Sequence, residues 1–271
     1  MTDFDQFFRD TDIAPINDDG RRRTLTAPAT WAQGRSLFGG LVTAAAADLM
    51  RDAVGDDART PRVVTTSFLK PMVCDVPATF TAGPNRIGRS AAQMHAEAFQ
   101  NDARCATFTA VFGASRPSRV RAEAPPRPAR PAPDTLDDAV LPLEIAPAFT
   151  QHFRYRWTDG GKPFSSATEG VIGGWCRHRT AVTEPLTAVL GLLDAWPPAT
   201  LPMTDRPAPL SSVTWTAHLL DLSPFDPDGW WWLRAEVLAA GDGYSVVHGW
   251  LYRPDGRAAA WMEQLVAVFD R

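Results

Sequence analysis

A 271-residue chain that is 45% apolar and carries a formal charge of −4 has no electrostatic footprint for nucleic acid, and its cysteines, Cys74, Cys105 and Cys176, have neither the number nor the spacing of a disulfide framework or a zinc site. A chain of this length buries enough apolar surface to fold as one large domain or two small ones. The acidic start MTDFDQFFRDTD has no apolar leader and no run is long enough to span a bilayer, so a cytoplasmic protein is expected.

Taken in chain order, Arg21 to Arg23 form the one basic run, expected on a solvated strand end. RTLTAPATWA alternates like a strand, and LFGGLVTAAAADLMRDAV reads as a helix opened by Gly39 and Gly40. Strand-like runs follow in VVTTSFLKP, PATFTAGP, SAAQMHAEAFQ and RCATFTAVFG, with QNDAR as the last turn. Residues 115–147 are thick with Pro, Arg and Ala and lack periodicity, which is the composition of an extended linker. The same order then returns. FRYRW and GVIGGWC precede a helix in PLTAVLGLLDAW; SVTWTAHLL, WWWLRAEVLA, YSVVHGWLYR and AAAWMEQLVAVF follow it, with RPDGR as the matching turn. The chain divides into an N-terminal repeat over 1–114, the linker over 115–147 and a C-terminal repeat over 148–271. Each repeat is a helix laid on an antiparallel meander, an α+β unit, and two such units are expected to pack as a pseudo-dimer that covers exposed sheet edges.

Three polar side chains interrupt apolar faces in the second repeat. Asp194 shares a helix face with Leu193, Leu190, Val189 and Leu186. Thr214, Thr216 and His218 alternate along one side of their strand, and Gln264 stands in an apolar row with Met262, Val266 and Val268. A buried polar group left unpaired costs about 1–3 kcal/mol, so the economical arrangement is that these groups satisfy one another or hold a water. Taken alone, Asp194 is equally a helix-terminal residue turned to solvent before Pro197 and Pro198. Thr214 alone is more often a strand-propensity choice than a catalytic group, and Gln264 alone can cap a neighbouring carbonyl. No metal-spaced histidine pair, G-x-S-x-G elbow or nucleotide-binding glycine pattern is present in the sequence.

LFGG opening a small-residue helix, then TTSFLKP, then a strand after GRS, resemble the first repeat of the acyl-CoA thioesterase II family, and DAWPPA after the second helix is similar to a thioesterase-like branch found in many bacteria. The resemblance spans nearly the whole chain outside the linker. It implies a double hotdog in which each sheet wraps a central helix, and an acyl-CoA substrate. A homodimer of such chains that buries the remaining sheet edges is expected, with a monomeric pseudo-dimer as the alternative. The family's catalytic Asp, Thr and Gln fall by position on Asp194, Thr214 and Gln264. Thr216 stands where better-known members carry an acidic residue. The implied reaction is hydrolysis to a free acid and CoA, with Asp194 deprotonating a water that Thr214 and Gln264 fix, and it needs no metal, cofactor or covalent nucleophile.

Further assignments follow from the same reading. Backbone amides near Gly39 and Gly40 are candidates for holding an oxyanion, or these glycines serve a close helix–sheet approach. Arg86 and Arg89 are candidates for CoA phosphates, or belong to a solvated turn. Asp48, the rival acid on the first helix, reads as structural. Trp230, Trp231 and Trp232 read as packing, or as an acyl-tunnel wall. Two alternatives remain: a hotdog that binds acyl thioesters without cleaving them, and a hydratase that uses His218 or His248.

Overall fold

The computed structural model describes residues 3–9, 11–17, 20–139, 141 and 145–270. The first repeat contains α1 (Gln6–Arg9), β1 (Ala14–Pro15), β2 (Arg21–Leu25), a small hairpin of β3 (Ala32–Gln33) and β4 (Ser36–Leu37), α2 (Gly39–Val54), β5 (Arg59–Phe68), β6 (Ala78–Ile87), β7 (Ala91–Gln100) and β8 (Ala103–Ala114). The second contains β9 (Phe153–Gly160), β10 (Val171–His178), α3 (Pro185–Asp194), β11 (Leu210–Leu219), β12 (Trp231–Gly241), β13 (Tyr244–Tyr252) and β14 (Ala258–Val268). All strands but β3 and β4 form one twelve-stranded sheet in the order β1-β2-β6-β7-β8-β5-β11-β14-β13-β12-β10-β9, antiparallel at every step of the register.

The repeats join where β5 pairs with β11, from Thr214 opposite Ser67 to His218 opposite Val63, so each half removes the other's open edge. The sheet curves around α2 and α3, which pack against each other. Ala44 to Ala47 are completely buried, and their small side chains let α2 lie close to sheet and helix alike. Gly55 ends α2 in the left-handed conformation, at φ 60°, a geometry that glycine adopts without a Cβ penalty. Pro185 opens α3 under a Glu184 cap, and the helix stops short of Pro197 and Pro198.

The Pro-rich segment is a strap over the outer face of the second sheet, although Val140 and residues 142–144 lie outside the described residues. Pro131 accepts a hydrogen bond from Trp175 Nε1 at 3.0 Å, and the Arg127 and Arg130 guanidiniums lie 4.5 and 5.6 Å from the Trp175 and Trp232 ring centres. Strand alternation sorts the tryptophan run: Trp231 faces the core, Trp232 faces the strap, and Trp230 lies under Arg156 and Arg177 outside the strand. The basic run departs from expectation. Arg23 is 2% exposed and pairs with Asp48 at 2.7 Å, because alternation along β2 turns it toward α2.

Two histidines fill the seam beneath the N-terminal segment. The His152 ring stacks on Trp31 at 3.7 Å, and His178 lies between Phe4 and Phe153 while its Nε2–H donates to the Ala188 carbonyl. Burial holds both at about 4, down from 6.5. A histidine with a depressed folded pKa takes up its proton more readily when unfolded, so its contribution to stability is lost as pH falls from about 6.5 to about 4. Relative to His178→Phe, the wild type is expected to lose about 3 kcal/mol over that interval. Urea unfolding of both proteins at several pH values measures the difference.

Candidate active site

Asp194 is the last residue of α3, where a negative charge is unfavourable to its own helix. Its carboxylate instead lies at the first turn of α2, whose amide dipoles favour it. A Cβ on Gly39 would come within 2.9 Å of Asp194 Oδ2, and one on Gly40 within 3.2 Å of Asp194 Cβ and 2.5 Å of the Phe38 ring. The paired glycines are therefore what lets helix and carboxylate meet. Gln264, inward-facing on β14, donates from Nε2 to Asp194 Oδ1 at 3.0 Å, which leaves Oδ2 on the Gly39 side.

Burial raises the Asp194 pKa from 3.8 to about 7, outweighing the Gln264 hydrogen bond and the Gly40 backbone N–H that pull it down. No cation among the described residues pairs with it. The side chain borders an open cleft of about 150 Å3, walled by the β3–β4 hairpin, the start of α2, the end of β5 with its following loop, and the start of β11. Gln33, Ser36, Lys70, Ser211 and Ser212 bring polar groups to this cleft; Leu37, Val42, Phe68 and Met72 bring apolar ones. Gln33 Oε1 accepts a long bond, 3.3 Å, from the Gly39 N–H.

Thr214 is not brought to the cleft. It stands opposite Leu265 and Ser67 on the outer face of the sheet, whereas Trp215, opposite Gln264, points inward. The register of β11 shifts between Ser212 and Thr214, leaving Val213 as a bulge. Ser212 is thereby opposite the buried Val266 and lines the cleft with Asp194. Sequence reading missed Ser212, because nothing in LSSVTW announces a bulge. It also passed over Gln33 and Lys70, although Lys70 lies within the quoted TTSFLKP.

Arg86 and Arg89 are exposed at the β6–β7 turn. The cleft lies at the other end of β7, a ten-residue strand and so roughly 30 Å away. They are residues of a solvated turn, not of the cleft. His218 and His248 also face outward, His218 against Trp261 at 5.2 Å between ring centres and His248 against Glu236 at 2.9 Å.

The first repeat has a counterpart to Asp194. Asp48 is nine residues past Gly39, as Asp194 is nine past Pro185. Its carboxylate is neutralised by Arg23 at 2.7 Å and Arg51 at 2.6 Å, and Arg51 also pairs with Glu184 at the start of α3. Phe108, opposite Thr66, occupies the strand position that Gln264 holds opposite Trp215. One end of the helix pair thus carries an ion-pair network and the other an unneutralised acid.

Residues 27–113 match the model of the acyl-CoA thioesterase N-terminal domain, and residues 121–268 match that of the acyl-CoA thioesterase C-terminal domain. The chain belongs to the acyl-CoA thioesterase family. Solved structures similar to it include a conserved protein of unknown function with a hot dog fold from Alicyclobacillus acidocaldarius, at a TM-score of 0.80 and 23% identity over 98% of this chain and 97% of that one. An acyl-CoA thioesterase II, TesB2, from Mycobacterium marinum is similar at a TM-score of 0.73 and 17% identity, covering 96% and 95%. The tesB protein of Mycobacterium avium subsp. paratuberculosis gives 0.77 and 16%, covering 95% and 96%. At these identities the structures establish the double hotdog arrangement. No curated protein matches the sequence significantly. Among the described residues no helix is long and apolar enough to cross a membrane.

The two helix acids, Asp48 and Asp194, are expected to respond oppositely to neutralisation. Asp48→Asn leaves Arg23 buried beside a neutral partner and is expected to destabilise by about 3–5 kcal/mol. A carboxyl whose folded pKa is raised to about 7 makes folding less favourable as pH rises through that interval, so Asp194→Asn is expected to stabilise at about pH 8 and to be neutral at about pH 4. Urea midpoints of both variants at the two pH values check this.

Proposed function

We propose that the chain hydrolyses an acyl-CoA thioester to a free carboxylic acid and CoA, with Asp194 as general base. The single observation that carries this reading is an unneutralised carboxylate, oriented by Gln264 and titrating at about 7, at the edge of a solvent-open cleft. A base with that pKa is half ionised at neutral pH and still strong enough to take a proton from water.

In this mechanism Asp194 Oδ2 removes a proton from a water as its oxygen bonds to the thioester carbon. Gln264 keeps the carboxylate aimed, and the Ser212 hydroxyl, on the cleft side of β11, is the hydroxyl that steadies the water. The negative charge on the carbonyl oxygen is met at the start of α2. Here the long Gln33–Gly39 bond is one a substrate oxygen can replace. The carbon–sulfur bond then breaks, and protonated Asp194 returns its proton to the departing thiolate. The outward positions of His218 and His248 leave a hydratase without its histidine. The homodimer expected from the sequence belongs to the same reading, and sedimentation tests it against a chain mass of 29.6 kDa.

Free-thiol release from a panel of acyl-CoA esters is the test. Asp194→Asn is expected to lower kcat by at least about a hundredfold while acyl-CoA binding survives. Ser212→Ala should cost more than Thr214→Ala, which should be near neutral. For the wild type, kcat/KM should rise with pH up to about 7 and level off above it, because the ionised carboxylate is the active form. Binding without thiol release above background would sink the hydrolase reading in favour of a binding module.

A further inference from the structure

Two spaces meet at the Asp194 side chain. One is the open cleft. The other is a narrower void of about 10 Å3 between the end of α3 and the second sheet, lined by Leu193, Trp196, Leu233, Val247 and Met262 together with Gln264 and Asp194. We propose that the void receives the acyl group and that the enzyme is selective for short acyl chains, of about two or three carbons. The proposal rests on the thioester-hydrolase reading and names its substrate class.

A thioester carbon held at Asp194 has two substituents to accommodate. The sulfur side carries a long polar arm ending in a charged body that must stay in water, so it takes the cleft, which opens to solvent past Ser36, Lys70 and Ser211. The acyl side is left with the void, whose side-chain lining is apolar away from Asp194, Gln264 and the Trp196 N–H. About 10 Å3 of free space admits one group the size of a water or a methyl.

The Trp196 side of the void is stiff. Trp196 is 6% exposed and packs edge-on against Trp157 at 4.7 Å and Tyr155 at 5.4 Å, and two prolines follow it directly. Met262 is the adaptable member, since an unbranched thioether fills irregular gaps and can vacate them. Methylenes that the wall does not accommodate lower kcat/KM, together by at least about tenfold.

The test is thiol release by the wild-type protein from straight-chain acyl-CoA esters, acetyl to decanoyl. The expected result is a maximum of kcat/KM at acetyl or propionyl and a fall of at least about tenfold by hexanoyl. A smaller fall, or a maximum at hexanoyl or beyond, overturns the short-chain assignment and leaves the hydrolase reading standing. Met262→Ala is expected to raise the hexanoyl-to-propionyl ratio by about tenfold, and an unchanged ratio overturns the void as the acyl site; Val247→Ala serves if that variant does not fold. If no ester releases thiol, the hydrolase reading fails separately. Calorimetric titration then still decides the void: acetyl-CoA should bind at least about tenfold more tightly than hexanoyl-CoA, and equal or reversed affinities overturn it.

Discussion

The carboxylate of Asp194 at the start of α2 is the contact on which the rest of this molecule turns. It requires both repeats at once, since the acid comes from the last residue of the second helix and the amides from the first turn of the other. It requires the β5–β11 pairing, which fixes the two halves against each other. It also requires Gly39 and Gly40, because a Cβ at either position would collide with the acid or with Phe38. Removal from water opposes ionisation here, while the helix amides and Gln264 favour it. Desolvation is the larger effect, so the group titrates near neutrality.

The repeat supplies two places for such an acid and the chain uses them differently. Asp48 faces two guanidiniums, one of them buried, and ties β2, α2 and the start of α3 together. Asp194 faces an amide side chain and a cleft. Repeating a fold need not repeat its chemistry, because Arg23 on β2, Arg51 on α2 and a phenylalanine at the position where the other repeat has a glutamine make one end structural support. The division has a thermodynamic consequence: losing the ion-paired acid leaves a buried arginine without its counter-charge, whereas the unpaired acid costs stability whenever it is ionised.

The second sheet solves a different problem. Its outer face presents Trp175, Trp232 and Tyr252, an apolar patch that would otherwise invite association. The arginine- and proline-rich strap covers it with guanidinium–ring contacts and a backbone carbonyl for the Trp175 indole. A segment with linker composition can therefore be fixed structure, because arginine and proline need only aromatic rings and a few hydrogen bonds to hold an extended path.

The sequence by itself determined the elements and their duplication, since hydrophobic periods of two and 3.6 with proline and glycine punctuation are local properties. It also singled out Asp194 and Gln264, because each interrupts an apolar row that has to be buried. Tertiary structure alone decided that Ser212 and not Thr214 lines the cleft with Asp194. Alternation separates Thr214 from Trp215 but carries no sign of the bulge at Val213, and one extra residue moves every side chain beyond it to the opposite face, turning Ser212 inward. Only the folded sheet carried Arg86 and Arg89 to the far end from the cleft, and only the packing of β2 on α2 turned Arg23 from an expected solvated position into a buried partner for Asp48. Contacts between segments distant in the chain depend on how whole elements pack, and no local pattern encodes them.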